Sequence, residues 1–298
     1  MNGRTMIDPS DERSQTMITS GGELRAQLHG MWASVAGAWR ENADYVDARG
    51  AEVTRAMLTR VAPQPGERVL ELACGPGSVG LAAADLVGPG GDVVLSDIVV
   101  EMTTIAAARA VSRGFTNVTV RVLDLERIDE TDSSYDVVVC REGLMFAPDP
   151  ACAMREIQRV LRPGGRVAVA CWGPRARNPW LGIVFDAVGA QLGVPVPPPG
   201  IPGPFSLDDA AMLAGLFSDA GLADVHVGEL STPLRATSFD EWWARTTALA
   251  GPLARMLSSL SDDAKQALDA RLRRSVSAYV TSTGLQIPGV TLIATGDR

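Results

Sequence analysis

One stretch constrains this chain more than any other: Val-Leu-Glu-Leu-Ala-Cys-Gly-Pro-Gly-Ser-Val-Gly, residues 69–80. The apolar run reads as a buried strand, and Gly75 and Gly77 let the backbone turn tightly and approach a bound molecule closely. The Ala-rich helix expected over 78–86 points its N-terminal amides and positive dipole end at whatever the turn faces. Strand–helix alternation continues for about a hundred residues, as a parallel sheet with crossover helices requires. Strands are expected over 68–73, 92–96, 118–122, 135–140 and 166–171, with helices over 100–112 and 150–161. Arg162-Pro-Gly-Gly165 reads as a break ahead of the fifth strand.

After residue 172 the pattern changes. The proline-rich stretch 194–204 suits neither a helix nor a central strand and reads as a loop. A helix is expected over 207–220, a sixth strand over 224–230, helical sequence over 239–280 and a seventh strand over 289–295. Upstream, 24–58 is mostly helical and carries Trp32, Trp39 and Tyr45. The organisation expected is a polar, disordered lead-in (1–23), a helical cap (24–62), a ligand-binding α/β core (63–173), and a helical lid with the last two strands of the sheet (174–298).

Composition narrows the partners. The formal net charge of −8 opposes binding to a phosphate backbone, and Arg271-Leu272-Arg273-Arg274 reads as the solvated face of a helix. No apolar run approaches the ~20 residues that span a bilayer, and the polar N-terminus lacks a signal-peptide core. Cys74, Cys140, Cys152 and Cys171 form no Cys-x-x-Cys pair, so neither a disulfide framework nor a metal site is expected, and a reducing cytoplasm fits. The expected partner is a small molecule, not nucleic acid or membrane, with a homodimer left open.

The glycine turn alone is ambiguous. Gly75, Gly77 and Gly80 satisfy Gly-x-Gly-x-x-Gly, and Asp97 follows about twenty residues on, as in a dinucleotide fingerprint. Three features tip the balance. Glu71 places a carboxylate inside the first strand, where it needs a partner that an amine-bearing ligand could indirectly supply. Asp124 ends the third strand, placed to accept from an adenine amino group, and Arg162-Pro-Gly-Gly165 precedes the fifth.

With Tyr135-Asp136-Val-Val-Val-Cys140, this ordered set resembles class I S-adenosylmethionine-dependent methyltransferases. Arg141-Glu-Gly-Leu-Met-Phe-Ala-Pro-Asp149 and Cys171-Trp-Gly-Pro174 resemble the ubiquinone/menaquinone C-methyltransferase-like branch, over about residues 66–174. The resemblance implies a Rossmann-like, doubly wound, seven-stranded, mostly parallel sheet of order 3-2-1-4-5-7-6, its last strand antiparallel, with helical lid additions. It implies S-adenosyl-L-methionine as cofactor. The backbone of Ala73, Gly75 and Gly77 would cradle the methionine portion, with Glu71 and Cys74 also among the cofactor-binding residues, and Asp97 would take the ribose hydroxyls. Ile98, Asp124 and Leu125 would meet the adenine; Cys140 and Arg141 would lie beside the methionine portion, under Trp39 or Tyr45. Ala73 departs from the glycine often found first in the motif.

A base is optional when the methyl donor is already electrophilic. His29 is the candidate base for a phenol, with Arg141 as a second catalytic candidate; His226, alternating with two valines on a strand, is weaker. Only 5% of the chain is aromatic, and the late aromatics with Met145 suggest an acceptor pocket of Met145, Trp172, Trp180 and Trp242. The reaction expected is methyl transfer to carbon or oxygen of a small apolar or aromatic acceptor, such as a quinol, phenol or natural-product intermediate. An NAD-dependent oxidoreductase and a non-catalytic cofactor-binding protein of the same fold are the alternatives.

Overall fold

In the central strands both faces are apolar, and alternate residues supply two separate cores. Leu70, Val138, Val167 and Val169 point to one side of the sheet, and Val69, Val137, Val139 and Ala168 to the other. Such strands are stable only if helices cover both faces. The computed structural model, which describes residues 21–298, has that arrangement. Helices α1 (Gly21–Ala33), α2 (Ala36–Glu41) and α3 (Ala43–Val61) come first. The core follows as β1 (Arg68–Glu71), α4 (Ser78–Val87), β2 (Asp92–Asp97), α5 (Val100–Ser112), β3 (Val118–Val122), β4 (Tyr135–Arg141), α6 (Pro150–Val160) and β5 (Leu161–Trp172). Next come α7 (Pro179–Leu192), α8 (Ala210–Asp219), β6 (Ala223–Ser231), β7 (Leu234–Ala236), α9 (Phe239–Leu249), α10 (Gly251–Ser258), α11 (Asp262–Val276), β8 (Val280–Thr281), β9 (Gly284–Ile287) and β10 (Val290–Asp297).

The main sheet has the order β3-β2-β1-β4-β5-β10-β6. The first five of these pair in parallel, and β10 runs antiparallel to both β5 and β6. This is the expected doubly wound α/β fold, with β10 as the expected last strand. Helices α3, α4 and α5 contribute Met57, Leu81 and Ala106 to one core, while α6 and α8 contribute Ile157 and Phe217 to the other. Asp149 caps α6, accepting from the Cys152 amide at 2.8 Å, and Pro150 occupies the first turn, where its missing N–H costs nothing.

Two features differ from the sequence reading. Arg162-Pro-Gly-Gly165 lies inside β5, not ahead of it: Leu161 already pairs with Tyr135, and the register shifts before Arg166 joins Val137. The glycines bulge outward and pair instead with Arg298, whose amide donates to Gly165 O at 2.9 Å. The second feature is an antiparallel sheet of order β7-β9-β8, absent from the expectation. Strands of two to four residues are too short to show a period of two.

That small sheet packs with α7, α9, α10 and α11 around a third core that includes Trp180, Val184, Trp242, Leu253, Leu272 and Ile287. On α11, Arg271, Arg273 and Arg274 are exposed and Leu272 is buried, so the basic run is the solvated face it was read as. The lead-in expected over 1–23 lies outside the described residues except for 21–23, which open α1. Among the described residues no helix is long and apolar enough to cross a membrane.

Candidate functional site

The carboxyl ends of β1, β2, β4 and β5 open onto one cavity of about 360 Å³, roofed by the N-terminal helices and the lid. Such an edge is where ligands bind in open α/β sheets. At the end of β1 the chain turns through left-handed residues, Ala73 (φ 49°), Gly75 (φ 51°) and Gly77 (φ 85°). An alanine in that region costs about 1 kcal/mol or more, so the turn holds Ala73 against its preference. Ala73, Cys74 and Gly75 line the cavity; Gly77 does not. Gly77 is instead the N-terminal cap residue of α4, and a Cβ there would crowd Leu95 at 2.9 Å and Ala106 at 3.2 Å. Of the residues expected to cradle a ligand, Ala73 and Gly75 therefore reach the cavity, together with Cys74, while Gly77 serves helix–sheet packing.

Glu71 finds its partners in the protein backbone. It is 2% exposed, and its Oε2 accepts from the Gly80 amide at 2.7 Å and its Oε1 from the Val79 amide at 3.2 Å. A side chain from β1 therefore caps α4, which has no side-chain cap of its own. Burial nevertheless dominates and pushes the carboxyl up to about 7, against the two amides and the positive charge of Arg141.

Asp97, at the end of β2, is fixed from both sides. Its Oδ2 accepts from Gly75 N at 2.9 Å and its Oδ1 from Val99 N at 3.0 Å. Burial raises its pKa, while backbone amides and His29 on α1 oppose the rise. Asp124 accepts from the Glu126 amide at 2.9 Å, and Ile98, Asp124 and Leu125 line the same wall. Trp39 closes over the turn: a Cβ on Gly75 would lie 3.7 Å from its ring, and its Nε1 donates to Leu249 O at 3.0 Å. Tyr45, also on the wall, is covered by the Arg245 guanidinium at 4.0 Å from the ring centroid.

Arg141 leaves β4 towards α3. Its Nη1 donates to Thr54 Oγ1 at 2.7 Å and to Gly50 O at 3.4 Å. Gly50 is required for this, because a Cβ there would collide with the Arg141 guanidinium. On the far side of the cavity Trp172 and Trp180 meet edge to face, with centroids 4.9 Å apart. Trp180 is held by Asn178, whose Oδ1 accepts from Trp180 Nε1 and from Val290 N, each at 3.1 Å.

Not every expected residue reaches the cavity. Cys140 is fully buried beneath it, and Met145, on a short 3-10 turn, faces the core with Met154 and Ile157. Trp242 turns into the lid core, 1% exposed, against Phe239 and Trp243. His226 is exposed on β6 and does not line the cavity, whereas His29 does. The thiols of Cys74, Cys140 and Cys171 are all raised by burial, Cys140 to about 12, which leaves them protonated and inert. Among the described residues no cluster of His, Cys, Asp and Glu is arranged to hold a metal ion.

The sequence reading missed Arg49, Glu142 and Asn178. Glu142 lines the cavity with a left-handed backbone (φ 59°), and its position directly after the β4 edge was the available signal. Asn178, one residue before Pro179, is buried to 1% and gives no such signal. Arg49 lies one helical turn after Tyr45, a spacing that puts both on one face of α3.

Comparison with known proteins bears on the ambiguity of the glycine turn. A family described as a methyltransferase domain matches residues 63–177. Nocamycin O-methyltransferase of Saccharothrix syringae is 38% identical over 157 residues, covering 49% of this chain and 56% of the relative. A ubiquinone/menaquinone biosynthesis C-methyltransferase, UbiE of Ectopseudomonas mendocina, is 37% identical over 124 residues, covering 41% and 48%. The chain thus spans about half the length of the curated relatives it matches. Among solved structures, the YcgJ protein of Bacillus subtilis superposes with a TM-score of 0.57 at 21% identity, over 83% of this chain and 98% of that one, which establishes likeness of fold.

Proposed function

Residues 63–177 form a class I S-adenosylmethionine-dependent methyltransferase domain, and on that premise we propose that the chain methylates carbon or oxygen of a small, largely apolar acceptor. The observation that carries the reading is the sharing of one cavity by two unlike walls. One wall is polar and backbone-rich, made by Ala73, Cys74, Gly75 and Asp97; the other is aromatic, made by Trp172 and Trp180.

The polar wall fits the cofactor. Each carboxylate oxygen of Asp97 accepts one backbone N–H, which leaves a lone pair on each for the ribose hydroxyls. A side chain on Gly75 would fill the slot beneath Trp39 that the methionine portion needs. Ile98, Asp124 and Leu125 are assigned to the adenine, and Trp39 and Tyr45 to the cover. S-adenosylmethionine, when bound, supplies a methyl group made electrophilic by its sulfonium. The protein's share is then to orient the acceptor and exclude water, which the lid aromatics do. Arg141, pinned by Thr54, adds a fixed positive charge beside Glu71. For a hydroxyl acceptor, His29 is the imidazole on this cavity wall and the candidate to receive the proton. The two relatives, an O-methyltransferase and a C-methyltransferase, support either atom as the target.

The test is calorimetric titration with S-adenosylhomocysteine and with NADH, followed by an assay for S-adenosylhomocysteine release across quinols, phenols and aromatic acids. S-adenosylhomocysteine is expected to bind and NADH not to. Asp97→Asn should weaken the binding by about 1.5–3 kcal/mol, the range for a hydrogen bond to a charged group. Tight NADH binding, or unchanged affinity in the variant, would refute the assignment.

A further inference from the structure

Arg49 on α3 is the least satisfied cation in the cavity. Its Cζ lies 4.1 Å from the centroid of the Trp180 ring and 5.9 Å from that of Trp172. Among the described residues it makes no ion pair and no hydrogen bond. The neighbouring arginines are committed: Arg141 to Thr54, Arg245 to Glu241 and Arg175 to Asp186. Stacking on an indole satisfies the face of a guanidinium but leaves its five N–H donors unmatched around the rim.

The carboxylates of the cavity do not supply that match. Asp97 is bound to the amides of Gly75 and Val99, Asp124 to the Glu126 amide, and Glu126 to Arg25 and the Asp149 amide. Asp97 and Asp124 follow β2 and β3, whereas Trp172 ends β5. In the order β3-β2-β1-β4-β5, the β2 and β5 ends are three strand spacings apart, about 14 Å. Glu142, which follows the intervening β4, forms no ion pair with Arg49. The committed acids Asp97, Asp124 and Glu126 thus lie at one end of the cavity and an uncommitted guanidinium among aromatic rings at the other, with Glu142, which makes no ion pair among the described residues, between them.

We propose that the methyl acceptor carries a carboxylate on an otherwise apolar body, and that Arg49 binds this carboxylate; the proposal rests on the methyltransferase reading of the cavity. A planar guanidinium meets a carboxylate through two parallel N–H···O bonds. Trp180 holds the guanidinium plane while Asn178 holds Trp180, so the fork is oriented before the acceptor arrives. Phe185, Leu234 and Leu253 on the same walls provide the apolar surface for the remainder of the molecule.

The experiment titrates the full chain, saturated with S-adenosylhomocysteine, with 1-naphthoate and decanoate and with the primary amide of each. The acids should bind at least about tenfold more tightly than their amides, as expected when a charge-assisted pair replaces a neutral contact. Arg49→Gln should abolish that preference while leaving the amide and S-adenosylhomocysteine affinities within about twofold, and Arg49→Lys should retain part of it. Cofactor binding without an acid preference, or a preference that survives in Arg49→Gln, overturns the proposal alone and leaves Arg49 as packing for the two tryptophans. Failure to bind S-adenosylhomocysteine at all overturns the methyltransferase reading and this inference with it.

Discussion

Replacing Glu71 with glutamine tests whether burial or the helix terminus controls the buried carboxyl at the end of β1. Two amides of α4 and the charge of Arg141 favour the anion; complete burial favours the neutral acid and prevails, raising the group from 4.5 to about 7. A carboxyl raised in the folded state binds its proton more tightly there than in the unfolded chain. Its contribution to stability is therefore greatest below the unfolded pKa, is lost as pH rises from 4.5 to 7, and is constant above. Integrated between pH 5 and 8, a shift of this size removes about 2.5 kcal/mol. Glutamine keeps the volume and cannot ionise, so its own cost, about 1–2 kcal/mol for an amide group set against two backbone donors, is independent of pH. Urea unfolding of both proteins at pH 5, 6, 7 and 8 isolates the effect, because all other groups titrate alike in both. The stability difference between wild type and Glu71→Gln should shift by about 2.5 kcal/mol towards the variant across that range. A constant difference would refute the argument and show that the helix amides keep Glu71 ionised throughout.

Gly50→Ala should leave the melting temperature within a few degrees, since a helical alanine gains roughly 0.5–1 kcal/mol over glycine and only the flexible end of Arg141 must move. Methyl-transfer kcat/KM should nevertheless fall at least about tenfold as Arg141 leaves Thr54, and full activity would remove Arg141 from the site. Asn178→Ala strands Trp180 Nε1 and the Val290 amide, while Val290 O keeps the Gly173 amide, and should cost about 2–4 kcal/mol in urea unfolding. A loss below 1 kcal/mol would mean that the α7 junction is satisfied in another way.

The half of the candidate site proposed for the cofactor was legible as one edge of the sheet because its residues are set by local rules. The turn follows a strand, and Asp97 and Asp124 fall where strands end, so a correct strand reading places them on the ligand edge. Parity along β4 fails at that edge. Cys140 continues the inward face of Val138, and the left-handed Glu142 then re-aims the chain, so the cavity receives Arg141 and Glu142 but not Cys140. The acceptor half obeys no local rule. Helix α7 is apolar on nearly every face, so the 3.6-residue period cannot tell which way Trp180 points. Trp242 carries the same signal as Trp180 in sequence, yet it is buried in the third core against Phe239 and Trp243, while Asn178 holds Trp180 at the cavity. Arg49 was invisible for a related reason: its significance lies in having no ion-pair partner, and that emerges only once the assembled cavity shows Asp97, Asp124 and Glu126 bound elsewhere and Glu142 making no ion pair with it. A pocket assembled from α3, β5, α7 and the lid is specified by packing between distant segments, and its charge is a property of the assembled cavity, not of any one segment.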